Sequence, residues 1–162
     1  MKSAIQGEKS GGFSSEEVVL LLNGEFNHTI DTKGRLIVPS RLREGLGNQF
    51  MMTRGLDGCL FLFPMDEWKA YEEKLKKLPM ADRNARQFSR FFTASATPCE
   101  IDKQGRFIVP SNLREFAKIE KDVIFAGMLT RVELWSKEHY EEVNNYDNMD
   151  EIAQGLGITF EF

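Results

Sequence analysis

The residues of this chain best suited to chemistry come as two near-identical sets. Asp31, Gly34 and Arg35 stand in "DTKGRLIVPSRLRE" at 31–44, and Asp102, Gly105 and Arg106 stand in "DKQGRFIVPSNLRE" at 102–115, with ten of fourteen positions identical. Such a set builds a tight turn: Asp accepts backbone hydrogen bonds, Gly takes a positive φ, and Arg pairs with a nearby carboxylate. The arginine leaving the turn has two outlets. It can return to its own Asp, or it can aim a planar fork outward at phosphate or guanine.

Catalysis fits this pattern poorly. An acid–base or nucleophilic device needs a group tuned toward its working pH, and a duplicated turn supplies no second role. The two histidines, His28 and His139, have no Cys or Ser partner at a useful spacing, and the two cysteines, Cys59 and Cys99, stand apart from each other and from any zinc-ligand pattern. The residues therefore point to a protein that is not an enzyme and that carries no metal and no cofactor. Lone cysteines also fit a reducing, cytoplasmic setting.

Charge favours binding over chemistry, once its distribution is considered. The net charge is −4, yet Lys74–Arg90 holds six bases against one acid, and the chain from Glu133 onward holds eight acids against Lys137 alone. An acidic C-terminal end belongs far from a phosphate backbone. Around the first turn, Lys33, Arg35, Arg41 and Arg43 face Asp31 and Glu44; around the second, Lys103, Arg106 and Arg114 face Asp102 and Glu115. The first copy is the better anion binder. The run of bases from Lys74 has a plain alternative as a solvated helix face, or as a seat for a neighbouring subunit's acidic tail.

The elements that must position these turns follow from periodicity. Phe26, His28 and Ile30 alternate with polar residues, the turn ends at Gly34, and Arg35–Val38 is an aliphatic run closed by Pro39: strand, turn, strand. Ser40 and Ser111 are expected to cap short helices, with Glu44 near the positive helix end. "QFMMT" and "CLFLF", answered by "DVIFA" and "RVELW", add two strands per half. After a one-residue slip Gly55 aligns with Gly127, Leu62 with Leu134, Phe63 with Trp135, Asp66 with Glu138 and Trp68 with Tyr140. Trp68, Tyr71, Leu75 and Leu78 mark one helix ending at Pro79. Ala81, Ala85, Phe88 and Phe92 mark a second, whose other face carries Arg83, Arg86 and Arg90. A weaker helix covers 137–144, a turn 149–154, and "ITFEF" reads as a final strand. No run approaches the roughly 18 apolar residues of a membrane span, and 1–19 reads as a flexible, Ser/Gly/Glu-rich tail without a secretory signal. The expected fold is α+β, mainly β, as two pseudo-symmetric halves at 20–92 and 93–162.

Read together, "GEFNHTIDTKGRLIVPSRLRE", "TRGLDGCLFLFPMDEW", "ARQFSRFF", "PCEIDKQGR" and "RVELWSKEHYEE" resemble the bacterial MraZ family, in its order and over nearly all of 20–162. That resemblance implies a pair of AbrB-like swapped-hairpin half-domains fused in one chain, each copy closing the other's small β core. It implies a homo-oligomeric ring that binds double-stranded DNA at short direct repeats. It also implies a nucleoid-associated transcriptional regulator, repressing its own operon and the division and cell wall gene cluster. By motif position Arg35 leads the DNA contacts, Lys33 with Arg41 or Arg43 supplies phosphate contacts, and Lys103 and Arg106 offer second-repeat contacts or a supporting role. The competing class is a ring-forming protein scaffold that reads no DNA.

Overall fold

A computed structural model describes residues 22–159. The expected tail at 1–19 lies outside the described residues, as does the end of the expected final strand; Ile158 and Thr159 belong to no strand. The first repeat contains β1 (Glu25–Thr29), β2 (Arg35–Ile37), α1 (Ser40–Leu46), β3 (Gln49–Arg54) and β4 (Leu60–Pro64), followed by α2 (Met65–Lys76) and α3 (Arg83–Thr93). The second contains β5 (Thr97–Glu100), β6 (Arg106–Ile108), α4 (Ser111–Phe116), β7 (Asp122–Gly127) and β8 (Val132–Ser136), followed by α5 (Lys137–Val143) and α6 (Met149–Gly155). The fold is α+β with antiparallel sheets, as the alternation of the sequence implies.

The strand order shows how the repeats depend on each other. The main sheet runs β1-β7-β8-β4-β3-β5, and a separate ribbon pairs β2 with β6. The first strand of each repeat thus pairs with the third strand of the other, and the order reads the same after the repeats are exchanged. Neither half closes its own sheet, which explains in physical terms why the hairpin is written twice: about sixty residues bury too little surface to be secure alone.

Register corrects the alignment of the halves. Gln49 faces Glu100 while Asp122 faces Thr29, so Gln49 and Asp122 are equivalent. Likewise Arg54 pairs with Leu60 and Gly127 with Val132, which makes Arg54, and not Gly55, the counterpart of Gly127. The apparent one-residue slip is a longer connection before β7 combined with a shorter link between β7 and β8.

The sheet separates two cores. On one face Leu36 and Phe107 of the ribbon pack with Leu42, Phe50, Leu62, Leu113 and Phe125, and Phe107 meets Phe50 edge-on at 5.2 Å. On the other, Phe61, Phe63, Trp68, Leu75, Phe92 and Trp135 bury the helical layer. The fully buried β4 serves both, with Leu60 and Leu62 on one side and Phe61 and Phe63 on the other, as strand alternation requires.

Helix starts depart from expectation. Ser40 and Ser111 are the first helical residues, after Pro39 and Pro110, and no side chain caps either helix. Glu44 lies beyond the first turn. True side-chain caps occur elsewhere: Asp82 accepts from the amides of Asn84 and Ala85, and Ser136 from that of His139. Phe88, expected on the apolar face of α3, meets the buried Phe92 ring at 4.9 Å but remains 43% exposed at the edge of that core, with Phe91 also partly buried against Phe92. His28 packs edge-on against Phe125 at 5.5 Å.

Candidate nucleic-acid interface

Each turn is built by its aspartate. Asp31 Oδ1 accepts from the backbone N–H of Lys33 and of Arg35, both at 2.9 Å, while Oδ2 accepts from Arg35 Nε at 2.6 Å. Asp102 repeats the arrangement with Gln104 and Arg106, its Oδ2 lying 2.9 Å from Arg106 Nε. Gly34 and Gly105 adopt φ of +81° and +79°, the left-handed conformation that the turn needs and that a side chain disfavours. The backbone donors from Arg35 and Arg106 are the main reason both carboxyls titrate below the usual aspartate range.

Each arginine takes the inward of its two outlets with one atom of its guanidinium. Nε returns to the turn's own Asp, and among the described residues neither Nη atom of Arg35 or Arg106 makes a hydrogen bond. The carboxylate fixes the guanidinium plane and leaves its double-donor edge open.

The ribbon sets the direction of that edge. Leu36 lies opposite Phe107, and both point into the core, so their neighbours Arg35, Ile37, Arg106 and Ile108 occupy the outer face. Arg35 faces Ile108 and Arg106 faces Ile37. The two arginines are therefore diagonal neighbours, with roughly 7–8 Å between their backbones, and they border one shallow depression with Asp102 and Glu100. Ile37 and Ile108 are 47% and 61% exposed, unusual for aliphatic strand residues. The sequence expectation treated the turns as separate sites of unequal rank; the pairing brings them into one surface. The signal for Ile37 and Ile108 was present in the alternation, since an inward Leu36 and Phe107 oblige them to point out.

The remaining basic residues divide. Lys33 and Lys103 are exposed at the two turns. Arg41 is exposed, donates to Asn23 Oδ1 at 3.1 Å and lies over the Phe26 ring. Arg43 is directed inward: Nη2 donates to the Val38 carbonyl at 3.0 Å, and its guanidinium packs on Gly105. Its counterpart Arg114 donates to the Val109 carbonyl at 3.0 Å and packs on Gly34. Among the described residues no group of three or more His, Cys, Asp or Glu side chains could hold a metal ion, and no helix is long and apolar enough to cross a membrane.

A fold of two interleaved repeats presenting paired Asp-Arg turns on a ribbon defines a class of duplicated, swapped-hairpin proteins. The family model of the MraZ protein matches 21–91 and again 92–155. The chain is 56% identical over 138 residues to a protein of Caldanaerobacter subterraneus subsp. tengcongensis named Transcriptional regulator MraZ, covering 84% of this chain and 96% of that one. Proteins of the same name from Lachnoclostridium phytofermentans and Limosilactobacillus reuteri are 53% and 52% identical, covering 85% and 86% of this chain and 98% and 100% of theirs. This chain belongs to the MraZ family.

Proposed function

We propose that this chain is a sequence-specific DNA-binding transcriptional regulator whose reading surface is the outer face of the β2–β6 ribbon. The observation that carries the proposal is the shared outward face of Arg35 and Arg106, each oriented through Nε by its own aspartate with the Nη edge unengaged among the described residues. A two-stranded ribbon fits the major groove of B-DNA, where an arginine edge matches guanine O6 and N7 and an apolar side chain can touch a thymine methyl. In this reading Arg35 and Arg106 contact base edges, and Ile37 and Ile108 lie against the base-pair surface between them. Lys33, Lys103 and Arg41 neutralise phosphates, while Arg43 acts from behind by holding the opposite turn in shape.

One ribbon covers few base pairs, so specificity needs repetition. Copies joined in a ring would present successive ribbons to sites about 10 base pairs apart, the spacing at which direct repeats show the same groove to each subunit. The names of the relatives support regulation of transcription, and the resemblance supports repression of the chain's own operon and of the division and cell wall cluster. Footprinting on the DNA upstream of the chain's own gene tests this. Protection of short direct repeats about one helical turn apart is expected, and an absence of retention even at low salt would sink the proposal in favour of a protein scaffold.

A further inference from the structure

The ribbon's outer face sets each arginine against an isoleucine. Arg35 stands directly opposite Ile108, and Arg106 directly opposite Ile37, in the antiparallel register, which puts their β-carbons roughly 4.5–5.5 Å apart. Each guanidinium is oriented through Nε by its own aspartate. Each isoleucine is branched at Cβ and therefore stiff, so its methyl groups are in place before any ligand arrives. At 47% and 61% exposure, Ile37 and Ile108 are apolar groups left in water between two cations.

Those surroundings narrow the occupant. An apolar protein surface laid over Ile37 and Ile108 would also bury the two guanidinium edges, whose Nη atoms have no hydrogen-bond partner among the described residues, and would leave them unpaired. A DNA duplex satisfies both groups. Guanine O6 and N7 accept from an arginine fork, and successive bases of a strand lie about 3.4 Å apart, so an apolar side chain roughly 5 Å across the ribbon meets the edge of a neighbouring base. In the major groove the apolar group on such an edge is the methyl at C5 of a pyrimidine. Isoleucine has neither donor nor acceptor, so it does not distinguish the O4 of thymine from the N4 of cytosine.

We propose that each arginine–isoleucine pair takes a guanine together with a C5-methylated pyrimidine beside it, reading the methyl group and not the base that bears it. 5-Methylcytosine then serves in place of thymine, and cytosine methylation of a repeat strengthens binding. The inference rests on the proposed reading of DNA by the ribbon and adds to it a chemical mark on the DNA that regulates occupancy.

Fluorescence anisotropy of the full chain tests it on duplexes carrying the footprinted repeat. Each pyrimidine beside a guanine is varied in two matched pairs: thymine against deoxyuridine opposite adenine, and 5-methylcytosine against cytosine opposite guanine. Within a pair only the methyl differs. At the contacted position the wild-type chain is expected to bind the methylated member about fourfold more tightly in both pairs, the factor for burying one methyl-sized group. Ile37→Ala/Ile108→Ala is expected to bring both ratios to one, and a general loss of affinity in that variant leaves a ratio unaffected. A methyl effect at thymine with none at 5-methylcytosine, no effect in either pair, or an effect that persists in the variant overturns this inference alone. A wild-type chain that binds the footprinted repeat no better than a scrambled duplex overturns the reading of DNA as well.

Discussion

Arg43 of the first repeat lies against Gly105 of the second, and Arg114 lies against Gly34 in return. Each guanidinium is tied to a carbonyl of its own repeat, Val38 or Val109. Each turn is also tied across the repeats through the backbone, with Val38 N–H donating to Gly105 O and Val109 N–H to Gly34 O. The turns that carry Arg35 and Arg106 are therefore shaped jointly by both copies.

Gly105→Ala should consequently destabilise the fold by more than about 1 kcal/mol, since only glycine adopts the left-handed conformation at little cost and the new methyl would enter the Arg43 guanidinium. Gly47→Ala is the comparison: its φ is +86°, but the nearest heavy atom is 3.6 Å from the added carbon. Urea denaturation should rank Gly105→Ala as the costlier change. Equal costs would mean that the Arg43 contact imposes no restraint.

Exposed isoleucines beside the arginines make a separate prediction about base composition. Where a protected repeat contains thymine next to guanine, replacing it by deoxyuridine removes one methyl group from the major groove. Binding should weaken severalfold for the wild-type chain and remain unchanged for Ile37→Ala/Ile108→Ala, because apolar contact with the thymine methyl is a recognised mode of readout. Equal sensitivity in both proteins would assign the exposed side chains to something other than base contact.

The aspartates give a pH dependence whose sign is fixed. Backbone and side-chain hydrogen bonds from Arg35 and Arg106 depress the carboxyl titrations, outweighing the opposing effect of burial. A group depressed on folding contributes stability that is present above its unfolded value, near 3.9 for aspartate, and lost as pH falls through the lower folded value. Side-chain carbon NMR should find Asp31 and Asp102 titrating below the unfolded value, with the turn intact from neutral pH down to about 5. A midpoint at or above the ordinary aspartate value would contradict the hydrogen-bonded turn.

Much of this arrangement is legible in the sequence. The alternation around Phe26 and His28, the Gly34 turn and the aliphatic run after Arg35 each obey a local rule, and local rules leave a mark in sequence. What escaped was set by distance. That β2 pairs with β6, and so places Arg35 beside Arg106, depends on contacts about seventy residues apart, which no periodicity encodes. The inward turn of Arg43 escaped for the same reason, since its partner Gly105 belongs to the other repeat. Ser40 misled because a serine before a helix normally caps it, whereas here Pro39 already occupies the cap position. Phe88 fits the apolar spacing of α3 and meets the Phe92 ring, yet Phe92 alone fills the core beneath and Phe88 stays partly exposed at its edge.

The central claim is that the ribbon's outer face reads base sequence through oriented arginines. Fluorescence anisotropy with the footprinted repeat and a scrambled duplex, for wild type, Arg35→Ala and Arg35→Ala/Arg106→Ala, tests it most directly. Loss of a bidentate arginine–guanine contact should reduce affinity for the specific site by about 5- to 150-fold (~1–3 kcal/mol), further in the double variant, with little change on the scrambled duplex and the same oligomeric state. A ratio of specific to scrambled affinity that stays the same in both variants would contradict the account.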